Sequence, residues 1–319
     1  AHRLRNPDSK MAIGSNELPK EVKKLIMTGT PLVNSAFDYY QLLHLTNPEE
    51  FDDPSWFLKT FTYGYFMRST YRPSGQRNQR LLKEFLSKIG LQRIKEDILP
   101  DLPPMTKSNL ELEMEGKQLS TYKNLEEDLM VDLDNGEKLF APGILAKATR
   151  LRQVLCDPRL VGVTAYSAKT EALIDIVDPN EQTVIFTAFE KYVGMIIERL
   201  EREGFNCARI TGKESTVRSN FNAESFQKGN IQVLVGTLKA MNEGIDLYAG
   251  HHCVFTDKWW NAAVNEQAED RLHRIGLTHP VRVTTMMVEH SFDHAMQEII
   301  QLKKQWGNET EIRYETIDL

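Results

Sequence analysis

From residue 167 onward, strand-like apolar runs alternate with helical segments, and no other feature constrains the fold as strongly. The strand-like runs cover residues 183–187, 207–210, 231–235, 253–256 and 281–288. Helical spacing is found at 192–203, 217–226 and 262–274, and a last helix is predicted at 292–304. This alternation indicates a parallel sheet with right-handed crossovers and helices on both faces. Ligands of such sheets bind at the carboxyl ends of the strands, so the residues that follow each strand are the functional candidates.

The first half of the chain has a different pattern. A short apolar run at 24–27 predicts a buried strand that ends in a turn at 28–31. Residues 35–100 are rich in aromatic side chains and predict helices, and 110–114 alternate as in a half-buried strand. Apolar spacing is again helical at 116–160. We therefore expect a helical middle between two regions that contain strands.

Charge and cysteine content exclude several kinds of protein. A net charge of −6 excludes a uniformly basic surface, although a local groove of Lys and Arg can still bind phosphates. Cys156, Cys207 and Cys253 are widely spaced and predict buried thiols rather than a metal site. No stretch has the length of a membrane-spanning helix. We expect a location in the cytoplasm of a bacterium or viral host cell, or in the nucleus of a eukaryote.

The strongest local pattern is N-E-Q-A-E-D-R-L-H-R-I-G at 265–276. On one continuous helix, Gln267, Arg271 and Arg274 would project from the same face. Two guanidiniums and an amide can hold a triphosphate, because Arg stays charged and binds phosphate oxygens bidentately. The alternative is a solvated amphipathic helix whose arginines pair with the carboxylates of the same segment.

Two further patterns follow predicted strands. Thr237 stands where a hydroxyl and a backbone N–H can bind a phosphate at a helix N-terminus; the alternative is an ordinary helix cap. Trp259 and Trp260 point in opposite directions on an extended chain. We expect one of them in the core and the other against a nucleic-acid backbone or a facing domain.

Taken in order, these segments resemble the second half of a Swi/Snf-type ATPase of helicase superfamily two. The opening A-H-R-L-R-N resembles the end of the family's D-E-A-H-R-L-K-N motif, a DEAH box, and T-G-T-P-L-V-N-S at 28–35 is similar to its third motif. Two other segments resemble family patterns, L-Q-R-I-K-E-D-I with L-P-P within 91–104 and L-R-Q-V-L-C-D-P at 151–158. The segments V-I-F-T at 184–187, R-I-T-G at 209–212 and those around Thr237 and Gln267 are similar to motifs four to six.

The resemblance implies an α/β fold with RecA-like lobes. Residues 1–118 would be the end of lobe one with a helical protrusion, and 119–165 a second helical protrusion. Residues 166–319 would be RecA-like lobe two with a C-terminal helix. The implied activity is that of a DNA-dependent ATPase that translocates along or remodels double-stranded DNA, without base specificity. Its cofactors would be ATP and Mg²⁺, with the Mg²⁺ site mainly in an upstream lobe.

The resemblance also implies roles for individual residues. Arg274 would be the arginine finger on the γ-phosphate, and Arg271 and Gln267 would be its partners. The nucleotide cleft would be lined by Gly244, Asp246 and His2. The DNA backbone would be held by Thr187, Gly212, Thr237, Lys239, Trp259 and Trp260. The two sites would be coupled by Thr28, Gly29 and Thr30.

The sequence departs from the family pattern at several positions. M-N-E-G at 241–244, R-I-G-L at 274–277 and W-N-A at 260–262 replace G-G-x-G, R-I-G-Q and W-N-P, which indicates a divergent member. No G-K-T/S phosphate loop occurs, so this chain alone is expected not to hydrolyse ATP without an upstream lobe. Two alternatives stay open: a strand-separating DNA or RNA helicase of the same superfamily, and a non-catalytic module that binds DNA or protein.

Overall fold

The computed structural model describes residues 4, 6–19, 22–28, 36–67, 70–91, 95–134, 142–241 and 244–310. The chain divides into two compact units. One unit comprises residues 1–100 and 301–319, and the other comprises residues 101–300.

The first unit contains short helices and one antiparallel hairpin. Its helices are α1 (Lys10–Asn16), α2 (Tyr40–Thr46), α3 (Pro54–Phe61), α4 (Gln79–Ile89) and α5 (Lys95–Ile98), with a 3-10 turn at Ala36–Tyr39. Asp53 caps α3 by accepting the N–H of Ser55 at 2.8 Å. Aromatic side chains form the core, in which the ring centres of Phe57 and Phe61 lie 4.7 Å apart.

Two features of this unit differ from the sequence-based prediction. The run at 24–27 pairs with no strand among the described residues, and Leu25 and Met27 are 87% and 76% exposed. The prediction of a buried strand was wrong, because none of the strands that the structure describes lies beside this segment to bury it. Part of the region predicted as helical forms strands β1 (Thr62–Met67) and β2 (Thr70–Gln76). Aromatic residues there favour strands over helices.

The second unit is built on a six-stranded sheet in the order β3-β8-β7-β4-β6-β5, and every neighbouring pair is parallel. Its strands are β3 (Met105–Leu112), β4 (Thr183–Thr187), β5 (Cys207–Ile210), β6 (Val233–Thr237), β7 (His252–Phe255) and β8 (Val281–Val288). The predicted α/β fold with a parallel sheet is confirmed.

Helices cover both faces of this sheet. The helices that follow β3 along the chain are α6 (Gly116–Asp134), α7 (Pro142–Cys156), α8 (Ala168–Ile176), α9 (Glu190–Arg202), α10 (Thr216–Gln227), α11 (Leu238–Met241), α12 (Ala262–Glu269) and α13 (Phe292–Thr310), of which residues 292–300 belong to this unit. Side chains of β4 alternate between the two cores, as the period of a strand requires. Phe186 packs with Phe226 of α10, whereas Ile185 packs with Tyr192 of α9.

Strand β3 lies at the edge of this sheet. It pairs with β8 from Met105 opposite Val281 to Leu112 opposite Val288. The expected division put this strand before a boundary at residue 118, with the end of lobe one. Its parallel pairing with β8 instead makes it part of the sheet that also contains β4 to β7.

The helical spacing predicted at 116–160 is confirmed by α6 and α7. Helices α6 and α7 pack against each other through Tyr122, Leu129, Ile144 and Leu151. Among the helices that the structure describes, none is long and apolar enough to cross a membrane.

Candidate functional site

The residues predicted to hold DNA lie at one edge of the six-stranded sheet. Because all strands are parallel, their carboxyl ends meet at that edge. Thr187 ends β4, Thr237 ends β6, and the two are direct neighbours in the strand register. The remaining candidates follow strand ends: Gly212 after β5, Lys239 after β6, and Trp259 and Trp260 after β7. This edge is called the carboxyl edge below.

The two threonine side chains are buried, and each hydroxyl oxygen accepts a nearby backbone N–H. Thr187 is fully buried, and its Oγ1 accepts the N–H of Phe189 at 3.2 Å. Thr237 is 8% exposed, and its Oγ1 accepts the N–H of Ala240 at 3.3 Å, as a helix cap does. These residues therefore shape the carboxyl edge more than they present polar groups to a ligand.

The exposed part of the carboxyl edge is formed by Gly212, Lys239 and Trp259. The Trp259 ring is 39% exposed. Asn265 holds its backbone on both sides, since Oδ1 accepts the Trp259 N–H at 2.8 Å and Nδ2 donates to the Trp259 carbonyl at 2.9 Å. Trp260 is half-buried and meets Phe292 edge-on at 5.9 Å. One tryptophan is thus packed and the other exposed, as the extended spacing predicted.

The predicted helix at 262–274 is shorter than expected. Helix α12 ends at Glu269, with Asp270 as its C-cap, and tight turns follow. Gln267 lies within α12, but Arg271 and Arg274 lie beyond its end. The prediction that Gln267, Arg271 and Arg274 share one helix face was therefore wrong, because the regular 3.6-residue spacing stops before the first arginine.

The two arginines are instead placed by contacts with the segment 244–247. Arg274 forms an ion pair with Asp246, whose side chain is half-exposed. The guanidinium of Arg271 donates to the carbonyl of Ile245 at 3.4 Å, and its own carbonyl accepts the N–H of Leu247 at 2.9 Å. Gly244 has φ +70°, a conformation that favours glycine. The structure thus brings together four of the residues predicted for the nucleotide site.

These four residues lie towards the amino ends of the strands, opposite the carboxyl edge. The N–H of His251, just before β7, donates at 2.9 Å to the carbonyl of Gln182, just before β4. Leu272 packs beside Gly250 and Val184. The chain next to the arginines and Asp246 therefore lies near the amino ends of β4 and β7, away from the carboxyl edge.

A cleft of about 580 Å³ borders the same group. Its lining includes Asn220, Glu224, Lys228, Gly244, Asp246 and Tyr248. Most of these side chains are polar, and Tyr248 is 40% exposed. The cleft therefore places polar side chains next to the partner of Arg274.

Contacts from β3 and the residues before it hold the arginine segment. Lys107 pairs with the buried carboxylate of Glu269 at the end of α12. The ring of His273 hydrogen-bonds the carbonyl of Pro103 through Nε2 at 2.7 Å. In a solvated amphipathic helix, Glu269 was expected to pair with a neighbouring arginine. It pairs with Lys107 instead, 162 residues away in the sequence.

Two buried ion pairs under the carboxyl edge were missed by the sequence analysis. Arg152 binds Asp257 at 2.8 Å, with side-chain exposures of 3% and 4%. Lys169 binds Asp293 at 2.7 Å and donates to the carbonyl of Thr256 at 2.8 Å. Burial raises the pKa of Asp257, and the charges of Arg152 and Lys169 act in the opposite direction. The one sequence signal was Arg152 itself, inside the family-like L-R-Q segment.

Only some of the residues predicted to couple the two sites lie among the residues that the structure describes. Thr28 is half-buried at the end of the segment 22–28, whereas His2, Gly29 and Thr30 lie outside the described residues. In the part of the chain that the structure describes, no three His, Cys, Asp or Glu side chains are placed to hold a metal ion.

Two family profiles match the chain. The profile described as SNF2-related domain matches residues 1–160, and the profile described as helicase conserved C-terminal domain matches residues 168–276. The chain is 26% identical to human chromodomain-helicase-DNA-binding protein 8 over 95% of its own length and 13% of that protein. It is equally similar, 26%, to human SWI/SNF-related matrix-associated actin-dependent regulator of chromatin subfamily A member 1, again over 95% of its own length and 30% of the relative. The chain thus spans less than a third of either relative.

Among solved structures, the chain is similar to the Sulfolobus solfataricus SWI2/SNF2 ATPase core in complex with dsDNA. The TM-score is 0.54 at 23% identity, over 95% of this chain and 65% of that one. A likeness at this identity shows the fold alone. The family rests on the profile that matches half of the chain, residues 1–160. The chain belongs to the SNF2-related family of superfamily-two helicase-like proteins.

Proposed function

We propose that this chain is the C-terminal part of an ATP-driven translocase that moves along duplex DNA. In this proposal Arg274 acts on the nucleotide, and the carboxyl edge carries the DNA backbone. The observation that carries the proposal is the placement of Thr237 and Asp246, which lie close together along the chain. Thr237 ends β6 at the carboxyl edge, and Asp246 is the partner of Arg274. One short segment therefore joins both sets of candidate residues.

The contact between Arg274 and Asp246 suits a movable arginine finger. Both side chains are about half exposed, 41% and 53%. Ion pairs of this exposure contribute roughly 0–1 kcal/mol, so the more highly charged triphosphate of ATP can draw Arg274 away from Asp246. An arginine finger stabilises the charge of the transition state and raises hydrolysis rates by about 10³–10⁵. Arg271 would sense the nucleotide with Gln267.

The proposed DNA contacts rest on exposed groups at the carboxyl edge that can touch the DNA backbone rather than read the bases. Lys239 and the backbone of Gly212 are exposed at the carboxyl edge and can bind phosphate oxygens. The Trp259 ring can pack against sugar or base. Phosphate contacts carry no sequence information, so binding should be independent of base sequence and sensitive to salt.

ATP turnover needs parts that the described residues do not supply. The sequence contains no G-K-T/S phosphate loop, and the described residues offer no Mg²⁺ site. When bound, Mg²⁺ would neutralise charge on the β- and γ-phosphates. We infer that a separate lobe with a phosphate loop holds Mg²⁺ and the phosphates, while this chain contributes Arg274 and the DNA edge.

The decisive experiment measures ATP hydrolysis by a protein that combines this chain with a lobe carrying the phosphate loop, with and without duplex DNA. We expect duplex DNA to raise the rate, and Arg274→Ala to lower it by roughly 10³ or more. Arg202→Ala is the matched control, because Arg202 forms an exposed ion pair with Glu198 on α9, outside both sets of candidates. Its rate should equal that of the wild type.

Other results would select a different function. Stimulation by single strands or RNA, but not by duplex DNA, would indicate a strand-separating helicase. DNA binding without any hydrolysis by the combined protein would indicate a non-catalytic module. Hydrolysis by this chain alone, abolished by Arg274→Ala, would contradict the division of labour between two lobes.

A further inference from the structure

We propose that Arg152, on helix α7, is a positioning residue that sets the geometry of the carboxyl edge for DNA. This inference rests on the proposed function of that edge. Arg152 is 3% exposed, so its guanidinium cannot reach a phosphate itself. It acts through Trp259, Trp260 and Phe189, which follow the ends of two different strands.

The guanidinium of Arg152 grips the loop after β7. Its Nη2 donates to both carboxylate oxygens of Asp257, at 2.9 and 2.8 Å, and its Nε donates to Oδ1 at 3.3 Å. Nη2 also donates to the carbonyl of Lys258 at 2.9 Å. Lys258, the residue just before the tryptophan pair, is therefore held by a hydrogen bond to its own carbonyl and by the bonds to the side chain of Asp257.

The same guanidinium packs against two aromatic rings. Its central carbon lies 4.9 Å from the ring centre of Trp260 and 5.5 Å from that of Phe189. Cations at these distances from an aromatic face are attracted to it. Phe189 in turn donates its N–H to the hydroxyl of Thr187, the last residue of β4. Arg152 thus links the segments that follow β4 and β7.

A second buried cation supports this arrangement from another side. Lys169 of α8 donates to the carbonyl of Thr256 and pairs with Asp293 at the start of α13. The neighbouring Phe292 meets the ring of Trp260. The loop from 256 to 260 is therefore bound by α7, α8 and α13, and the Trp259 ring is left exposed.

The pair of Arg152 with Asp257 is expected to fix the position of the loop after β7 rather than to add stability. A buried ion pair often stabilises a protein no more than well-packed apolar side chains would. A bidentate arginine does fix the distance and direction of its partner, which a loop without regular backbone bonds cannot do alone. We therefore expect changes at Arg152 to alter how DNA is bound without removing any phosphate contact.

The test compares two variants of this chain. Arg152→Lys keeps the charge but loses the planar fork, and the double variant Arg152→Met with Asp257→Leu removes both charges, so that no buried charge is left unpaired. Arg159→Lys is the matched control, because Arg159 pairs with Asp157 at 2.7 Å but does not touch the tryptophan loop. We expect the duplex dissociation constant to rise about tenfold in both test variants and to stay unchanged in the control.

Two further readouts separate positioning from general damage. A variant that is merely less stable would lower the fraction of binding-competent protein, but the folded molecules would keep their dissociation constant. With Trp56→Phe and Trp306→Phe in the background, fluorescence comes from Trp259 and Trp260 alone. We expect duplex DNA to quench this emission in the otherwise unchanged protein and to quench it much less in Arg152→Lys. The salt dependence of binding should stay the same.

The outcomes distinguish this inference from the proposed function. If the wild type binds duplex DNA and the folded Arg152 variants bind and quench equally well, the positioning role is wrong and the proposed function stands. If the wild type itself does not bind duplex DNA, the proposed DNA edge falls, and the role of Arg152 falls with it. A tenfold loss confined to the Arg152 variants supports both.

Discussion

Thr187 and Thr237 are direct neighbours across the parallel strands β4 and β6, and each is the last residue of its strand. The chain therefore leaves the sheet at the same level after both strands. Lys239 follows two residues after Thr237 and is exposed at this edge. Both threonine side chains are buried and uncharged, so the positive charge available to DNA at this point comes from the lysine.

We expect Lys239→Ala to weaken duplex binding to a similar degree for all base sequences. The slope of log K against log salt should fall by about one, because one phosphate contact is lost. Lys228→Ala is the control, since Lys228 is also exposed but follows α10 and borders the cleft near Asp246. Its slope should stay at the wild-type value. Equal slopes for all three proteins would remove Lys239 from the DNA edge.

Gly236→Ala should destabilise the second unit. A Cβ at this position would clash with the carbonyl oxygen of Ile210 on the neighbouring strand and would lie 2.7 Å from Sδ of Met241. The backbone oxygen cannot move without disturbing the pairing of β5 with β6. We expect the free energy of unfolding to fall by roughly 1–3 kcal/mol, as for other overpacked cores, measured by urea denaturation.

Gly194→Ala provides the comparison for that substitution. Gly194 lies within α9, and a Cβ there would meet nothing within 4 Å. Because glycine in a helix is less favourable than alanine, this change should raise the free energy of unfolding by roughly 0.5–1 kcal/mol. A similar effect of both substitutions would show that the contact with Ile210 is not what makes Gly236 necessary.

Stability should fall in mild acid because of His252. Burial, and then the charge of Arg282, lower the pKa of His252 from 6.5 to about 4, and its Nε2 lies 2.8 Å from the hydroxyl of Thr284. Below pH 6.5 the unfolded chain binds a proton that the folded protein refuses until about pH 4. The free energy of unfolding should therefore drop by about 3 kcal/mol between these limits and show no further loss from this group at lower pH.

His252→Gln tests the assignment, because an amide can still bond Thr284 but does not titrate. Urea denaturation of both proteins between pH 4 and 7.5 should show a flatter profile for the variant. His251, whose pKa is also lowered by burial and by the stacked ring of His279, contributes equally to both profiles. An unchanged slope in the variant would mean that other groups cause the acid sensitivity.

Local periodicity was enough to predict most of the second unit. The strand runs at Thr183–Thr187, Cys207–Ile210 and Val281–Val288 appear with the same bounds in the structure. Strand β4 is buried along its whole length, and its central side chains form a continuous apolar run that local sequence reveals. The six-stranded sheet also contains β3, whose neighbour β8 is distant along the chain. Its mostly polar exposed side chains carry little sign of that partner.

The sequence by itself determined which residue types stand at the strand ends, because alternation and motif spacing are properties of neighbouring residues. It did not determine that Arg274 pairs with Asp246, 28 residues earlier, or that Arg152 pairs with Asp257, 105 residues later. It also placed Arg271 and Arg274 on a helix that ends at Glu269. Such contacts depend on which strands become neighbours and where each helix stops, and those are decided by packing across the whole sheet.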